Sequence, residues 1–466
     1  VALMAGNAFV PCIGPSYYLP DRKSAVQRSV NLYLRQIEGL GEAHQVVLQS
    51  TDGLASLHDF GHTIRGSTVT ADGREFIVAG STLYEWVSGA AVSRGTISDG
   101  TSYVCMCAGE QQLVLVDGQN GYVLTLSNNV FGRITDPDWR GAISVTQVDG
   151  TFVFVPPNNQ EQFYISAIDD ATSLDALDFS SADAQPGSIV TSRELKQETY
   201  FFKPFSTEVW IYDGDSSFPL VRYNSTPIAV GAVGPRAIIN AADTLIFVGC
   251  TTRGTGIVYM MVGHQPVRIS TTAVETCLQA PGVDLTRCVL WVQQKAGAEF
   301  ICVNAPGMST SWCWDAASKE WHERGELVNG DWTPFRVDQV VSVGAVSHAF
   351  AGSVMYRMAD DIYAIDSAPL VRSRVWPHLP NPSMEPVTIR GLELMCTTGY
   401  GGQVMLRISK DGGQTFGAWL LRSLGAIGRW MQRIRWMPLG GGRDMVFELR
   451  VTDPVPFTLT QATVDA

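Results

Sequence analysis

No apolar stretch of this sequence runs uninterrupted for the ~18 residues that a membrane helix needs, so a soluble chain is expected. Charge is sparse as well: 17% of the 466 residues are Asp, Glu, Lys or Arg, against 45% hydrophobic. That balance excludes a disordered chain and predicts a sizeable core, in one large all-β domain or two to three domains. The start, "VALMAGNAFVPCIGPSYYLPDRK", has an apolar patch with no basic region ahead of it and does not read as a secretory signal. Nine cysteines, scattered from Cys12 to Cys396, are odd in number and lack the dense pairing of a small secreted domain. Most read as buried thiols. Cys105 and Cys107 alternate along a strand and share a face, as packing rather than as metal ligands.

A basic surface is missing too. The net charge is −12, and it divides unevenly: residues 1 to 378 carry −14, whereas Leu379 onward carries +2. A protein that grips DNA presents cations to the phosphates. An acidic surface instead suits either no contact with nucleic acid or a wall along which DNA slides without sticking. Catalytic signatures are equally scarce: there is no G-x-S-x-G elbow, no phosphate loop, no G-x-G-x-x-G and no H-E-x-x-H. No catalytic residue, cofactor or metal is therefore expected.

What is present is strand. Short runs rich in Val, Ile, Phe, Tyr and Trp recur between Gly, Asp, Asn and Ser clusters, as in "EFIVAGSTLYEWV", "QQLVLVDGQNGYVLTL" and "STSWCWDAASKEWHERG". Each reads as a hairpin. Two short helices are predicted, over Ser166 to Leu177 and over "TTAVETCLQA" at 271–280. Two-strand units return every ~20 to 25 residues from about 61 to 378, so a four-strand unit of ~45 to 50 residues predicts a β-propeller of about six blades. Stacked sandwiches are the alternative.

"PHLPNPSMEP", residues 377–386, holds four prolines and marks a domain boundary. Beyond it, at least four strands predict a small β-sandwich over 379–466, with Phe447, Leu449 and Val451 facing one way and Glu448 and Arg450 the other. Residues 1–60 are left as an N-terminal arm with strands.

Four local patterns invite a functional reading. "ISKDGGQTF", residues 408–416, matches the Asp-box turn of sialidases. Asp411 can accept from following backbone N–H groups, Gly412 and Gly413 can take the φ the turn needs, and Phe416 can pack beneath. A glycosidase would need several boxes, an arginine triad and a Tyr nucleophile besides, so this turn reads as structural. "HDFGH" sets His58, Asp59 and His62 close together, more as a polar turn than as a metal site. "GRWMQRIRWM" at 428–437 would, on a strand, turn Trp430, Ile434 and Trp436 to a core, and Arg429, Arg433 and Arg435 outward to solvent, a neighbouring subunit or phosphate. The sequon Asn224-Ser225-Thr226 needs no glycan to explain it.

In order along the chain, "STEVWIYDGD", "IFVGCTTRGTGIVYMMVGHQPVRISTTAVE", "WCWDAASKEWHERG", "RVWPHLPNP", "SKDGGQTF" and "GRDMVFELRVTDPVP" resemble the tail nozzle proteins of short-tailed bacteriophages, also called tail tubular protein B or packaged-DNA stabilisation proteins. The similarity is most specific from about 200 to 466 and rests on "RSVNLYLRQIEG" and "GSTLYEW" before that. The resemblance implies a non-enzymatic virion component assembled in the host cytoplasm: a propeller with added β domains, six copies forming a ring below the portal and adaptor. It implies contact with the adaptor, with a tail fibre or spike, and with packaged double-stranded DNA passing non-specifically through the lumen. The alternative is a glycan-binding or sialidase-like propeller, and a propeller scaffold for cellular partners is a third reading.

Overall fold

The computed structural model describes residues 7–9, 11–37, 45–214, 218–223, 226–295, 297–379 and 385–465. Among them seven small antiparallel units stand side by side, the sixth continuing into a larger sheet. Their innermost strands are Ile64–Val69, Cys105–Ala108, Ser144–Val148, Thr191–Leu195, Ile238–Ala241, Val289–Lys295 and Gln339–Val343, and we number the blades one to seven in that order. In blades one to four, four consecutive strands pair in sequence from the axis outward. The turns that allow it carry residues suited to positive φ. Asp149-Gly150 (φ 46° and 80°) reverses the chain in blade three, and Asn329-Gly330 (53° and 95°) ends the outer strand of blade six.

A separate apolar cluster fills each interface between neighbouring blades. Phe76, Leu113 and Leu124 lie between blades one and two, Val114 and Phe154 between two and three, and Phe163 and Phe201 between three and four. Phe202 and Phe247 join four to five, Val258 and Ile301 join five to six, and Trp291 and Tyr356 join six to seven. Ile77 with Phe350 and Met355 then closes seven onto one. The ring is complete.

The propeller has seven blades, then, and not about six. Three strands of the seventh, Gln339–Val343, Val346–Ala351 and Val354–Ala359, follow blade six, but its fourth is Gly53–Asp59, from ahead of blade one. One blade is thus divided between two distant parts of the chain, and a count of repeats along the sequence misses it. Tying the first strand to the last blade latches the ring.

Of the two predicted helices, one forms. Thr272–Leu278 buries Ala273, Val274 and Leu278 against blades five and six. Ser166 to Leu177 is instead the end of strand Gln162–Ile168 and the start of Asp170–Ser181, with Asp169 turning the chain at φ 57°. Pairing across the hairpin, such as Tyr164 with Phe179, supplies the edge of blade three and overrides the local helical pattern.

The remaining strands form a β-sandwich. One sheet runs in the order Val26–Val30, Arg372–Val375, Val446–Val451, Gln403–Ser409 and Leu420–Ser423. The other runs Leu32–Ile37, Gln45–Ser50, Thr458–Asp465, Gly391–Cys396 and Ile434–Trp436. Between them lie Leu48, Trp376, Leu406, Trp436, Phe447, Leu449, Val451 and Leu459, all buried. Residues 1–60, expected as an arm, therefore contribute strands to both sandwich sheets and to blade seven. Arg372–Val375, ahead of the proline-rich stretch, is already in the sandwich; residues 380–384 of that stretch, like Asn224 and Ser225 of the sequon, lie outside the described residues.

Cys302 and Cys313, directly opposite on neighbouring strands of blade six, form a disulfide. Seven cysteines are free thiols, of which Cys12, Cys105 and Cys288 are buried.

Candidate functional site

A cavity of about 510 Å³ lies on the propeller axis, walled by the innermost strand of every blade. Thr68, Cys107, Gln147, Glu194, Asn240, Leu290 and Gln339 each face it from a different blade. At the mouth where the inner strands begin, the Arg236 guanidinium lies 5.1 Å over the Tyr103 ring and donates to the Asp338 carbonyl at 2.9 Å. Those three residues span blades two, five and seven. Arg193 donates to the Pro235 carbonyl at 3.1 Å beside them. The cavity has the volume of a small-molecule site, far below what a DNA duplex needs. Cys105 and Cys107 stand in its wall, where burial first and the neighbouring Cys105 thiol second push Cys107 up to about 12. At neutral pH Cys107 is a protonated thiol and a poor nucleophile.

A second polar cluster ties the propeller to the sandwich. Trp321–Val328, the outer strand of blade six, pairs in parallel with Val26–Val30, so blade and sandwich share one continuous sheet. Glu323 is buried there between the two. Its carboxylate accepts from Arg28 Nε at 3.0 Å, Ser16 Oγ at 2.9 Å and Thr310 Oγ1 at 2.7 Å. Despite burial, those donors and the Arg28 charge hold its carboxyl below the ordinary range. Asn31 donates to the Gly325 and Val371 carbonyls, both at 2.8 Å. Arg374, fully buried, donates to the Cys12 carbonyl at 2.8 Å and to Ser29 Oγ at 2.9 Å, and burial brings its guanidinium down to about 10. Sequence reasoning passed over all of these. A lone charge in a strand reads as solvated, and nothing local marks the one that a distant strand will cover.

The patterns singled out in the sequence fall in separate places. In the Asp-box, Ser409 Oγ donates to Asp411 at 2.6 Å, and Asp411 accepts from the Thr415 N–H at 2.9 Å and the Thr415 hydroxyl at 2.5 Å. Those bonds hold the Asp411 carboxyl well below the usual carboxylate range. Gly412 and Gly413 sit at φ 75° and 85°, and a Cβ on Gly413 would come within 2.7 Å of Val26. Arg22 donates to the Gly413 and Gln414 carbonyls at 2.8 and 3.0 Å, pinning the turn to the N-terminal segment. Phe416 packs against a cluster of Val26, Val375 and Val446. Ser409, Asp411, Gly412, Gly413, Thr415 and Phe416 are all occupied in shaping or anchoring the turn.

His58 stacks edge-on to Phe60 at 4.7 Å, Asp59 accepts from the Gly61 N–H at 2.9 Å, and His62 is exposed. Among the described residues no three His, Cys, Asp or Glu side chains gather as a metal site would require. The basic stretch at 428–437 is strand only over Ile434–Trp436. Ile434 and Trp436 are buried, as expected for a core face, whereas Trp430 is 59% exposed, which corrects its expected place in the core. The chain turns through Gly428 (φ 85°) and reaches strand geometry only after Trp430. Arg433 makes a two-pronged ion pair with Glu393 at 2.6 and 2.7 Å, Arg435 reaches Asp465 at 3.4 Å, and the Arg429 side chain is exposed.

Two family models match this architecture region by region. The one described as bacteriophage P22 Gp10, beta-propeller, covers residues 27–336, and the one described as bacteriophage P22 Gp10, beta-sandwich, covers 372–466. The chain belongs to the bacteriophage P22 Gp10 family. As a member of that family it is a structural protein of a phage tail and a component of the virion.

No curated protein matches the sequence. Among solved structures, the extracellular domain of BT4673 from B. thetaiotaomicron is similar at 8% identity and a TM-score of 0.44, over 80% of this chain and 47% of that one. PorZ of the Porphyromonas gingivalis type-IX secretion system is similar at 11% and 0.39, over 79% and 46%. A chain of the S. cerevisiae Dbp5 complex with Nup159 and Gle1 is similar at 10% and 0.42, over 66% and 95%. This chain thus spans about half the length of the first two, and likenesses this loose carry nothing about function.

Proposed function

We propose that the chain is a non-enzymatic subunit of a ring-shaped tail nozzle, which closes the DNA channel below the portal and adaptor and opens for genome ejection. The observation that carries this reading is the pair of family matches, one over the propeller and one over the sandwich. Physical features of the chain agree with it. The propeller's own axial cavity is too small for a duplex and is crossed at one mouth by Arg236, Tyr103 and Asp338, so a DNA passage belongs between copies and not within one. The net charge of −12 disfavours retention of a polyanion sliding past.

The proposed partners are further copies of the chain in a homohexameric ring, the tail adaptor, a tail fibre or spike, and non-specifically the packaged DNA. Assembly takes place in the host cytoplasm. The glycan-cleaving alternative finds no support in the Asp-box, whose carboxylate is committed to Ser409 and Thr415.

Deleting the gene from the phage that encodes this chain is the test. The expected result is particles that package DNA and then lose it. Particles that keep their genome and infect normally would end the reading, as would turnover of a sialoside by the purified chain.

A further inference from the structure

The sandwich and blade three lie at opposite ends of the molecule. The sandwich sheet grows outward from blade six through Val26–Val30, and Leu420–Ser423 is its far edge, four strand spacings or roughly 19 Å further out. Gly53–Asp59 carries the chain from the sandwich into blade seven. In a seven-membered ring, blade three stands across from the junction of six and seven.

Each end carries an exposed apolar surface, and the two differ in charge. On the sandwich edge Met431 is 94%, Ile427 87% and Met395 62% exposed. Leu394, Met395, Trp430 and Met431 line a hollow of about 390 Å³. The loop that presents them is held in place: Gly428 donates to the Gly399 carbonyl at 2.9 Å, Gly401 to Gly425 at 3.1 Å, and Thr398 Oγ1 to the Trp430 carbonyl at 2.6 Å. The Tyr400 ring braces Trp430 edge-on at 5.2 Å. A surface fixed in advance loses little entropy on docking. Beside it Arg422 and Arg429 are exposed, while the Glu393 and Asp465 carboxylates are already engaged by Arg433 and Arg435.

At the other end the outer strand of blade three, Asp170–Ser181, is an edge strand with Leu177 81% exposed and Ile168 in the adjoining strand 63% exposed. Asp169 and Asp170 follow Ile168 at the hairpin tip, and Asp175 and Asp178 flank Leu177. Burial first and the Asp175 carboxylate second hold Asp178 above the ordinary carboxylate range, a repulsion that an incoming cation would relieve. Arg140 is the cation already present, stacked 4.9 Å over Phe179 and donating to the Ala176 carbonyl. Four carboxylates still outnumber it.

We propose that the hollow between Met395 and Trp430 receives the Leu177 edge of blade three from the next copy of this chain, with Arg429 meeting Asp175 and Asp178. Two unlike patches at opposite ends, both apolar and opposite in charge, suit a head-to-tail contact, the type that closes into rings. This inference rests on the ring reading above and supplies its interface.

Its test uses tails from the phage that encodes this chain, with a benzophenone amino acid replacing Met431 or, in a second variant, Ile427. The expected result is a photo-cross-link to residues 167–181, which one chain cannot make to itself across its own length. A ring that is intact in electron micrographs, with cross-links only to another virion protein or to a different part of the neighbouring copy, would overturn the interface and leave the ring. Micrographs without a ring would remove both. Charge exchange gives a second readout: Arg429→Glu and Asp175→Arg should each reduce assembled tails about tenfold, and the double variant should restore them. Single variants that assemble normally, or a double that does no better than either, would overturn the pairing.

Discussion

Between blades three and four the buried contact is chiefly aromatic, with Phe163 stacked on Phe201 at 4.3 Å and Trp210 edge-on to Phe163 at 4.8 Å, beside a small cluster of the Ser144, Thr191 and Ser192 hydroxyls. Between the propeller and the sandwich, beside apolar contacts such as Tyr33 on Phe300, lie charged and strongly polar groups: buried Glu323, Asn31 and Arg374 and half-buried Arg28, bonded across strands distant in the chain. The two solutions serve different needs. Apolar packing is non-directional and close to proportional to area, so it suits the filling of the seven blade interfaces. A buried ion pair returns little net stability, since desolvating the charges costs nearly what their attraction gives. What it adds is direction: Glu323 is satisfied only when blade six, Ser16 and Arg28 stand in one arrangement. We read the junction as the part that fixes the sandwich against the propeller.

Mutations at the two places should break them differently. The largest loss belongs to Phe201→Ala, which empties a wholly buried ring site and should cost about 4 kcal/mol, read as a lower denaturant midpoint for the whole chain. Glu323→Ala should cost about 3 kcal/mol by stranding Arg28. Its distinctive signature is local: amide exchange should quicken in Val26–Val30 and Arg372–Val375 and stay unchanged in the inner strands of blades one to four. Uniform quickening would remove the distinction between junction and blades.

Gly413→Ala should cost about 2 kcal/mol, because the left-handed φ and the 2.7 Å approach to Val26 both oppose a side chain. A stable, unchanged variant would show that the Asp-box does not lock the sandwich to the N-terminal segment.

The effect that is smallest at neutral pH is a pH slope at the junction. Burial first, and the Arg324 charge second, hold His322 well below its ordinary 6.5, so the folded chain keeps it neutral while the unfolded chain protonates it. The unfolded state then binds more protons below pH 6.5, and acidification destabilises the fold by about 1.4 kcal/mol per pH unit until the folded-state value is reached. His322→Asn should flatten the slope between pH 6.5 and 5 in denaturant titrations. An unaltered slope would assign it to other groups.

Much of this architecture was legible in the sequence because strand alternation and turn chemistry are local. The run "EFIVAGSTLYEWV" marks its own hairpin, Glu75–Ala79 paired with Thr82–Val87, and Phe447, Leu449 and Val451 alternate into the sandwich core as their spacing requires. The Asp-box likewise carries its own partners within a few residues. Long-range closure was not legible. Blade seven takes its last strand from Gly53–Asp59, some three hundred residues from the other three, and Glu323 gains its cation from Arg28 across a similar distance. Trp430 was misplaced for a local reason, since positive φ at Gly428 keeps the chain out of strand geometry until it has passed that ring.

Electron cryomicroscopy of the intact tail is the most direct test of the account as a whole. The expected image is a closed ring of this chain around a passage wide enough for a duplex, with each propeller's axis lying outside that passage and each sandwich edge touching blade three of its neighbour. A single copy per tail, or DNA running through the propeller axis itself, would contradict it.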